Sequence, residues 1–221
     1  MKIIARIYND FTEKFGIPRQ SGLLPEMEST IVFEEEFRND DALRGISEFS
    51  HLWLIWDFSE NSKTQWSPTV RPPRLGGNKR MGVFATRSPF RPNSLGLSSV
   101  KFKDIERMPG KGSVLKVTGA DLMNGTPIYD IKPYIAYTDS HPDAVCGFSD
   151  DYVDYALDVK FPHKLLEMVN PEVRNTLIEI LKNDPRPSYQ NDENRIYKMS
   201  FGNYDIGFRV NKNTLTVIDI K

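Results

Sequence analysis

His51-Leu-Trp-Leu-Ile-Trp-Asp-Phe58 is an almost continuous apolar segment. Such a run is typical of a central strand that is buried on both faces. Shorter segments on either side are rich in Ile, Val, Phe, Tyr and Trp, are bounded by Gly, Pro, Asn or Asp, and predict further strands. They cover residues 3–8, 30–33, 82–86, 98–105, 114–118 and 128–135.

Between these strands the sequence has no long helical pattern. One short helix is predicted at residues 41–49, with Asn39 or Asp40 as its N-cap. A parallel sheet would need longer helices between successive strands, so a βαβ layout is disfavoured. The sequence therefore predicts a mainly β fold, in which residues 1–150 form a closed or nearly closed antiparallel barrel of roughly seven strands.

Residues 151–221 predict a small α+β domain. Residues 151–160 are a polar and aromatic connector or a strand. Apolar residues then recur at helical spacing over 162–182, with an interruption at Asn170-Pro171, which predicts two short helices or one broken helix. Strands are predicted near residues 196–201, 205–210 and 214–220, with a turn at 211–213 between the last two.

The composition is that of a soluble globular protein, with 39% hydrophobic and 27% charged residues among 221. No apolar run approaches the roughly 20 residues that a membrane-spanning helix needs, so we expect no membrane partner. Cys146 is the single cysteine and can form no intrachain disulfide. A reducing compartment, the cytoplasm, is the expected location.

The net charge of −1 conceals a strong asymmetry along the chain. Residues 61–103 contain nine Lys or Arg and no Asp or Glu. A block of one sign within a globular domain favours a polyanionic partner. The alternative is a basic surface loop that the acidic residues 34–41 balance in space, and composition leaves the two readings about even.

Several common catalytic machineries are absent from the sequence. There is no GxxxxGK[ST] loop and no GxGxxG after a strand. His51, His141 and His163 are far apart and lack companions at metal-ligand spacing, so structural roles are predicted for them and no metal site is expected. No GxSxG elbow or matched Cys/His pair indicates nucleophilic catalysis.

Two loops combine prolines with cations. Arg71-Pro-Pro-Arg-Leu-Gly-Gly-Asn-Lys-Arg80 contains rigid prolines, permissive glycines and four cations, which suits contact with phosphates. Arg87-Ser-Pro-Phe-Arg-Pro-Asn93 repeats the theme, and its Phe90 could stack on a base. The alternative is a pair of proline-stiffened turns. In Asp121-Leu-Met-Asn-Gly-Thr126 the residue types by themselves favour a structural reading, a hairpin turn at Asn124-Gly125 with Asp121 as a capping residue.

Taken together, these segments resemble the TsaA-like family, specifically its TrmO-type tRNA adenosine methyltransferases. The matching pieces, in order, are FGIPRQSG (15–22), RGISEFSHLW (44–53), RPPRLGGN (71–78), MGVFATRS (81–88), RPN (91–93), DL (121–122), GTP (125–127), DIKPY (130–134) and DPRPSY (184–189). They extend over nearly the whole chain.

The resemblance implies an antiparallel barrel that binds S-adenosylmethionine without a Rossmann fold, and a homodimer. It also implies methyl transfer to the exocyclic nitrogen of threonylcarbamoyladenosine beside the anticodon of tRNA. Carried over by motif, the cofactor-binding residues would be Pro18, Arg19, Gln20, Ser59, Glu60, Arg87, Leu95, Asp121, Leu122, Met123 and Asn124. The sequence departs from the family's pattern at Ser59 and at Asn93-Ser-Leu-Gly96.

The reaction needs an acceptor or relay for the proton of the adenine amine. The Asn/Asp-Pro-Pro-Tyr motif of other adenine-amine methyltransferases is missing, so we expect Asn93, Asp130 or Tyr134 to serve instead. Contacts to the anticodon stem-loop are expected from the basic segment. The expected RNA-binding residues are Arg71, Arg74, Lys79, Arg80, Phe90 and Arg91. Rival readings are a non-catalytic RNA-binding barrel and a methyltransferase that acts on a small metabolite.

Overall fold

The computed structural model describes residues 1–59, 66–72, 75, 79–152, 155–186 and 192–221. The chain divides into two compact units. The first comprises residues 1–9 and 19–135, and the second comprises 10–18 and 136–221. The predicted division at residue 150 differs from these units, because residues 10–18 and 136–150 group with the second one.

The first unit is built on a ring of antiparallel strands. Its strands are β1 (Ala5–Tyr8), β2 (Glu28–Phe33), β3 (His51–Asp57), β6 (Leu95–Met108), β7 (Gly112–Thr118) and β8 (Pro127–Pro133), while β4 (Thr69–Val70) and β5 (Met81–Gly82) form a separate two-stranded ribbon. The ring closes in the order β1-β2-β7-β6-β3-β8. The antiparallel, mainly β prediction is confirmed, and six strands form the ring where roughly seven were predicted.

The prediction of a strand at 82–86 was wrong. Only Gly82 of that segment lies in a strand, where it pairs with Thr69. The chain then turns into a short 3-10 helix, Val83–Ala85. Residues 83–86 are instead held by a turn hydrogen bond from the Thr86 amide to the Val83 carbonyl.

The barrel core explains the apolar segment at β3. Leu52, Leu54 and Trp56 are buried, whereas the alternate side chains of the strand are only half-buried. The strand is central, as predicted, because it pairs with both β6 and β8. It is fully buried on one face only, since the barrel interior covers one side of each strand.

The predicted helix at 41–49 is split into two 3-10 helices, Asp40–Leu43 and Ile46–Glu48. Gly45 separates them with a φ of 86°, a left-handed conformation that interrupts a right-handed helix. The predicted N-cap is confirmed, because the Asn39 side chain accepts a hydrogen bond from the Asp41 amide. A further 3-10 helix covers Glu35–Phe37.

The second unit combines a four-stranded sheet with short helices. Its elements are α1 (Ala136–Asp139), a 3-10 helix (Gly147–Tyr152), β9 (Asp158–Lys160), α2 (His163–Leu166), α3 (Pro171–Lys182), β10 (Tyr197–Phe201), β11 (Tyr204–Asn211) and β12 (Thr214–Ile220). The strand order is β10-β11-β12-β9, with β9 parallel to β12. Of the two alternatives predicted for residues 162–182, two short helices or one broken helix, the structure has the two helices, and Asn170 caps α3 through the Glu172 amide. No described helix has the length and apolarity required to cross a membrane.

Candidate functional site

A buried polar chain links the barrel core to Asp121. The Trp56 indole Nε1–H donates to the Ser98 hydroxyl at 2.9 Å, and that hydroxyl donates to Asp121 Oδ1 at 2.5 Å. Ser98 is 1% exposed and Trp56 is 5% exposed. Burial raises the pKa of the Asp121 carboxyl above its ordinary value, although hydrogen bonding from Ser98 and the nearby Arg87 charge act against this rise. The barrel thus presents a carboxylate in an environment that disfavours its charge.

Arg87 and Gln20 lie beside this carboxylate. The Arg87 guanidinium donates to Gln20 Oε1, and its charge acts on Asp121. The Gln20 amide in turn donates to the Arg19 carbonyl at 2.5 Å. Three predicted cofactor residues that are far apart in sequence, Gln20, Arg87 and Asp121, are therefore brought together in the first unit. Pro18 is assigned to the second unit.

The segment after Asp121 is fixed by Asn9. The Asn9 side chain donates to the Leu122 carbonyl at 2.9 Å, and its backbone amide donates to Asn124 Oδ1 at 3.0 Å. A turn follows, with the Thr126 amide bonded to the Met123 carbonyl and Gly125 at a φ of 81°. A turn is present at Asn124-Gly125 as predicted, but the prediction of a hairpin was wrong, because the turn connects β7 to β8, which are not neighbours in the ring.

The end of β3 holds the remaining predicted cofactor residues. Asp57 accepts a hydrogen bond from the Ser94 hydroxyl at 3.0 Å and is paired across the sheet with Leu95. Burial raises the pKa of the Tyr129 hydroxyl, and so does its hydrogen bond to Asp57. Ser59 is exposed in the turn that follows the strand, and the predicted Glu60 lies outside the described residues.

The predicted RNA-binding residues have different surroundings. Exposed cations are Arg71, Lys79 and Arg80, whereas Arg74 lies outside the described residues. The Arg91 guanidinium donates to the Val83 carbonyl at 3.1 Å and to the Thr86 carbonyl at 2.6 Å. Phe90 is half-buried. Arg91 thus holds the turn at residues 83–86, a role that the sequence analysis did not foresee.

Two of the three predicted catalytic residues, Asn93 and Tyr134, lie near opposite ends of β3, and Asp130 pairs with Ile55 between those ends. Asn93 is exposed and precedes β6, whose first residue pairs with Asp57 at the end of β3. Tyr134 lies at the opposite end of β3, where its amide bonds the His51 carbonyl and its ring lies 5.4 Å from that of Trp53. A seven-residue strand spans roughly 20 Å, so Asn93 and Tyr134 do not belong to one group. Asp130 forms an ion pair with Lys132 at 3.2 Å.

Residue patterns could have revealed part of what was missed. Ser98 is a polar residue on the inward-facing register of β6, between Gly96 and Val100, and such a residue needs a buried partner. Its pairing with Trp56 and Asp121 depends on the barrel register, which no local pattern gives. Among the described residues there is no group of three His, Cys, Asp or Glu side chains that could hold a metal ion.

Residues 6–140 match the family model of the tRNA-methyltransferase O N-terminal domain, and residues 154–221 match that of the TrmO C-terminal domain. The chain therefore belongs to the tRNA-methyltransferase O family. A tRNA (adenine(37)-N6)-methyltransferase of Escherichia coli is 39% identical, with 94% of this chain and 91% of the relative covered.

The similarity extends to other organisms and to solved structures. A tRNA (adenine(37)-N6)-methyltransferase of Homo sapiens is 39% identical over 59% of this chain and 29% of the human protein. The crystal structure of TrmO from Pseudomonas aeruginosa superposes with a TM-score of 0.77 and 30% identity, covering 99% of this chain and 94% of that one. Both units therefore have the fold of the TrmO family.

Proposed function

We propose that this chain is an S-adenosylmethionine-dependent methyltransferase that modifies N6 of adenine 37 in tRNA. The observation that carries the proposal is the cluster of Gln20, Arg87 and Asp121 beside the turn at residues 121–126, in a chain that belongs to the TrmO family. We further propose that the methylated adenine carries a threonylcarbamoyl group, as the family resemblance implies.

The charged residues of this cluster suit the cofactor. S-adenosylmethionine carries a carboxylate, an ammonium group and a sulfonium, so a binding site gains from adjacent charges of both signs. Arg87 supplies a cation and Asp121 an anion within one cluster. Burial disfavours the ionised form of Asp121, and a bound cation beside it would favour that form. We assign cofactor contacts to Pro18, Arg19, Gln20, Ser59, Glu60, Arg87, Leu95, Asp121, Leu122, Met123 and Asn124.

The cofactor supplies an electrophilic methyl group, and the protein holds the two reactants in the correct orientation. Most of the rate of such a transfer can come from holding the nucleophile in line with the bond that breaks. Asn9 orders the segment at residues 122–124, while the hydroxyl of Ser98 fixes the Asp121 carboxylate. We propose that Asn93, Asp130 or Tyr134 accepts a hydrogen bond or the leaving proton of the adenine amine.

The basic segment is proposed to bind the anticodon stem-loop. Backbone phosphates attract cations in a salt-dependent way, and Arg71, Lys79 and Arg80 are exposed. Arg74 and Phe90 complete the proposed RNA-binding set, and Arg91, expected with them from the sequence, contributes through the turn at residues 83–86 that its guanidinium holds. An anticodon loop offers the unstacked bases that sequence-specific RNA binding normally uses.

The deciding experiment incubates the protein with methyl-labelled S-adenosylmethionine and bulk tRNA from cells that do or do not make threonylcarbamoyladenosine. We expect label in the first pool alone. Equal labelling of both pools would contradict the threonylcarbamoyl requirement. Labelling of neither pool would contradict the proposed activity, and calorimetric titration would then distinguish a cofactor-binding protein from an RNA-binding barrel without cofactor.

The same three candidates for proton removal can be separated by kinetics. Asn93→Ala, Asp130→Ala and Tyr134→Phe should be compared at saturating cofactor. A residue that assists the amine should lower turnover by about 100-fold or more. Wild-type turnover in all three variants would contradict the assignment.

We also propose that the protein acts in the cytoplasm as a homodimer. The exposed single thiol of Cys146 suits a reducing compartment, and the dimer is the assembly that the family resemblance implies. Light scattering coupled to size exclusion tests the assembly. A monomeric mass at the concentrations used for activity would contradict the dimer.

A further inference from the structure

Two large aromatic side chains lie side by side on the surface of the first unit. Phe84 is 71% exposed and Trp66 is 51% exposed. Their ring centroids are 6.3 Å apart and the ring planes differ by 24°. The two rings therefore present an exposed aromatic pair to solvent, although rings of this size ordinarily contribute to a core.

The Phe84 ring is held in place by its own turn. The Val83 amide bonds the Pro68 carbonyl at 3.0 Å, and the side chain of Val83 is 1% exposed. The Arg91 guanidinium donates hydrogen bonds to the carbonyls of Val83 and Thr86 and lies 5.6 Å from the centre of the Phe84 ring. The backbone on both sides of Phe84 is thus fixed, so binding has to order only the side chain.

The charge of the surrounding segment indicates what could cover these rings. Residues 61–103, which include both rings, contain nine cations and no carboxylate. Exposed aromatic rings among cations are the combination with which proteins hold single-stranded nucleic acid, because every base has a face that can stack. A hydrophobic protein partner would cover the rings without compensating these charges. Charge complementarity favours a polyanion with unstacked bases.

We propose that Phe84 and Trp66 form a stacking platform for one unstacked base of the anticodon loop. The proposal rests on the proposed function, since it takes tRNA as the substrate. It assigns base stacking to Phe84 and Trp66, neither of which was among the residues expected to bind RNA. Arg91 supports the platform from within the protein, while the exposed cations beside it attract the backbone.

The test measures the KM for a stem-loop RNA, kcat, and cofactor binding for Phe84→Ala, Phe84→Tyr and wild type. Loss of one stacked base should weaken RNA binding about 5- to 150-fold. Phe84→Ala should raise the KM by that factor while cofactor affinity measured by calorimetry stays unchanged. Phe84→Tyr, which keeps the ring, should restore most of the loss. Tyr8→Ala is the matched control, because Tyr8 is another exposed ring with a cation beside it, Lys111 at 5.4 Å, and lies outside the basic segment.

Tryptophan fluorescence gives a second readout. A base stacked on Trp66 should quench its emission. Of the other two tryptophans, Trp56 is only 5% exposed and Trp53 is half-buried beside Tyr134, so the Trp66→Phe variant separates the Trp66 signal from theirs. RNA should therefore quench the wild-type protein, and Trp66→Phe should remove most of that quenching.

The outcomes separate the platform from the proposed function. If wild type methylates tRNA and Phe84→Ala has an unchanged KM, the platform is overturned and the function stands. Loss of cofactor affinity in Phe84→Ala would overturn the platform, because the ring would then belong to the cofactor pocket. A weakened dimer with intact RNA affinity would overturn it by assigning the rings to a second copy of the chain. If wild type neither binds nor methylates tRNA, the proposed function itself fails.

Discussion

Gly96→Ala tests whether the core of the barrel positions the candidate site. Gly96 is paired across the sheet with Trp56, and the indole lies directly over it. An added Cβ would lie 2.1 Å from Trp56 Cε2, 2.4 Å from Cζ2 and 2.5 Å from Cδ2. Ordinary carbon contacts are about 3.5–4.0 Å, so the indole would have to move by more than about 1 Å.

The structure also sets the expected cost. Overpacking a core typically costs about 1–3 kcal/mol. Moving the indole also breaks its hydrogen bond to Ser98, and an unsatisfied buried donor costs about 1–3 kcal/mol more. We expect Gly96→Ala to lower the free energy of unfolding by about 2–6 kcal/mol, a large share of the 5–15 kcal/mol typical of a folded protein. Cofactor affinity should fall as well, because Ser98 orients Asp121.

Urea denaturation followed by tryptophan fluorescence measures the change. Gly82→Ala is the matched stability control, since Gly82 has a φ of −58° and no atom within 4 Å of the added Cβ. Its effect on stability should stay within about 0.5 kcal/mol. In a Trp56→Leu background Gly96→Ala should cost much less, because the clashing ring is gone. Equal costs in the two backgrounds, or equal costs of the two glycine variants, would refute the reasoning.

Three further predictions concern charge. Burial raises the pKa of Asp121, and a carboxyl whose pKa is raised on folding makes the protein less stable as pH rises through that folded pKa. In urea, Asp121→Asn should therefore be at least as stable as wild type at pH 7 and should lose that advantage below about pH 4. It should also bind cofactor more weakly in calorimetry. The pKa of Asp184 is lowered, because hydrogen bonds from Arg186 and Tyr155 outweigh its burial, so its contribution is lost as pH falls through the folded pKa. Tyr155→Phe should cost about 1 kcal/mol and move acid unfolding, followed by circular dichroism, to higher pH; an unchanged midpoint would contradict this. Arg80→Ala should reduce the slope of log binding constant against log salt for stem-loop RNA by about 0.7–0.9, and an unchanged slope would count against phosphate contact there.

Local patterns predicted the strands well where one face of the strand is buried. Both the buried and the half-buried residues of β3 are mostly apolar, and a short apolar run of this kind predicts a strand by itself. The segment at 82–86 has the same type of composition but forms a 3-10 turn. Its carbonyls bond the guanidinium of Arg91, a contact between a side chain and a backbone several residues away that composition cannot show.

The candidate site depended on contacts at long sequence separation. Residue types alone favoured a capping role for Asp121, and only the family resemblance assigned it to the cofactor. Its partners Ser98 and Arg87 come from different parts of the chain, as does Gln20, which bonds Arg87. The register of β3 against β6 determines that Trp56 reaches Ser98, and register is a property of the closed barrel.

The basic segment is divided among several roles, and this division limits how strongly RNA binding can depend on salt. Arg91 is committed to backbone carbonyls, and Arg87 donates to Gln20 beside Asp121. Lys103 is paired with Glu28, whose pKa it lowers. Among the cations of this segment that the structure describes, Arg87, Arg91 and Lys103 are therefore engaged within the protein, and each phosphate contact contributes about 0.7–0.9 to the salt slope. We therefore expect a salt slope below that of nine phosphate contacts, because a cation engaged within the protein is less available to the phosphates of RNA.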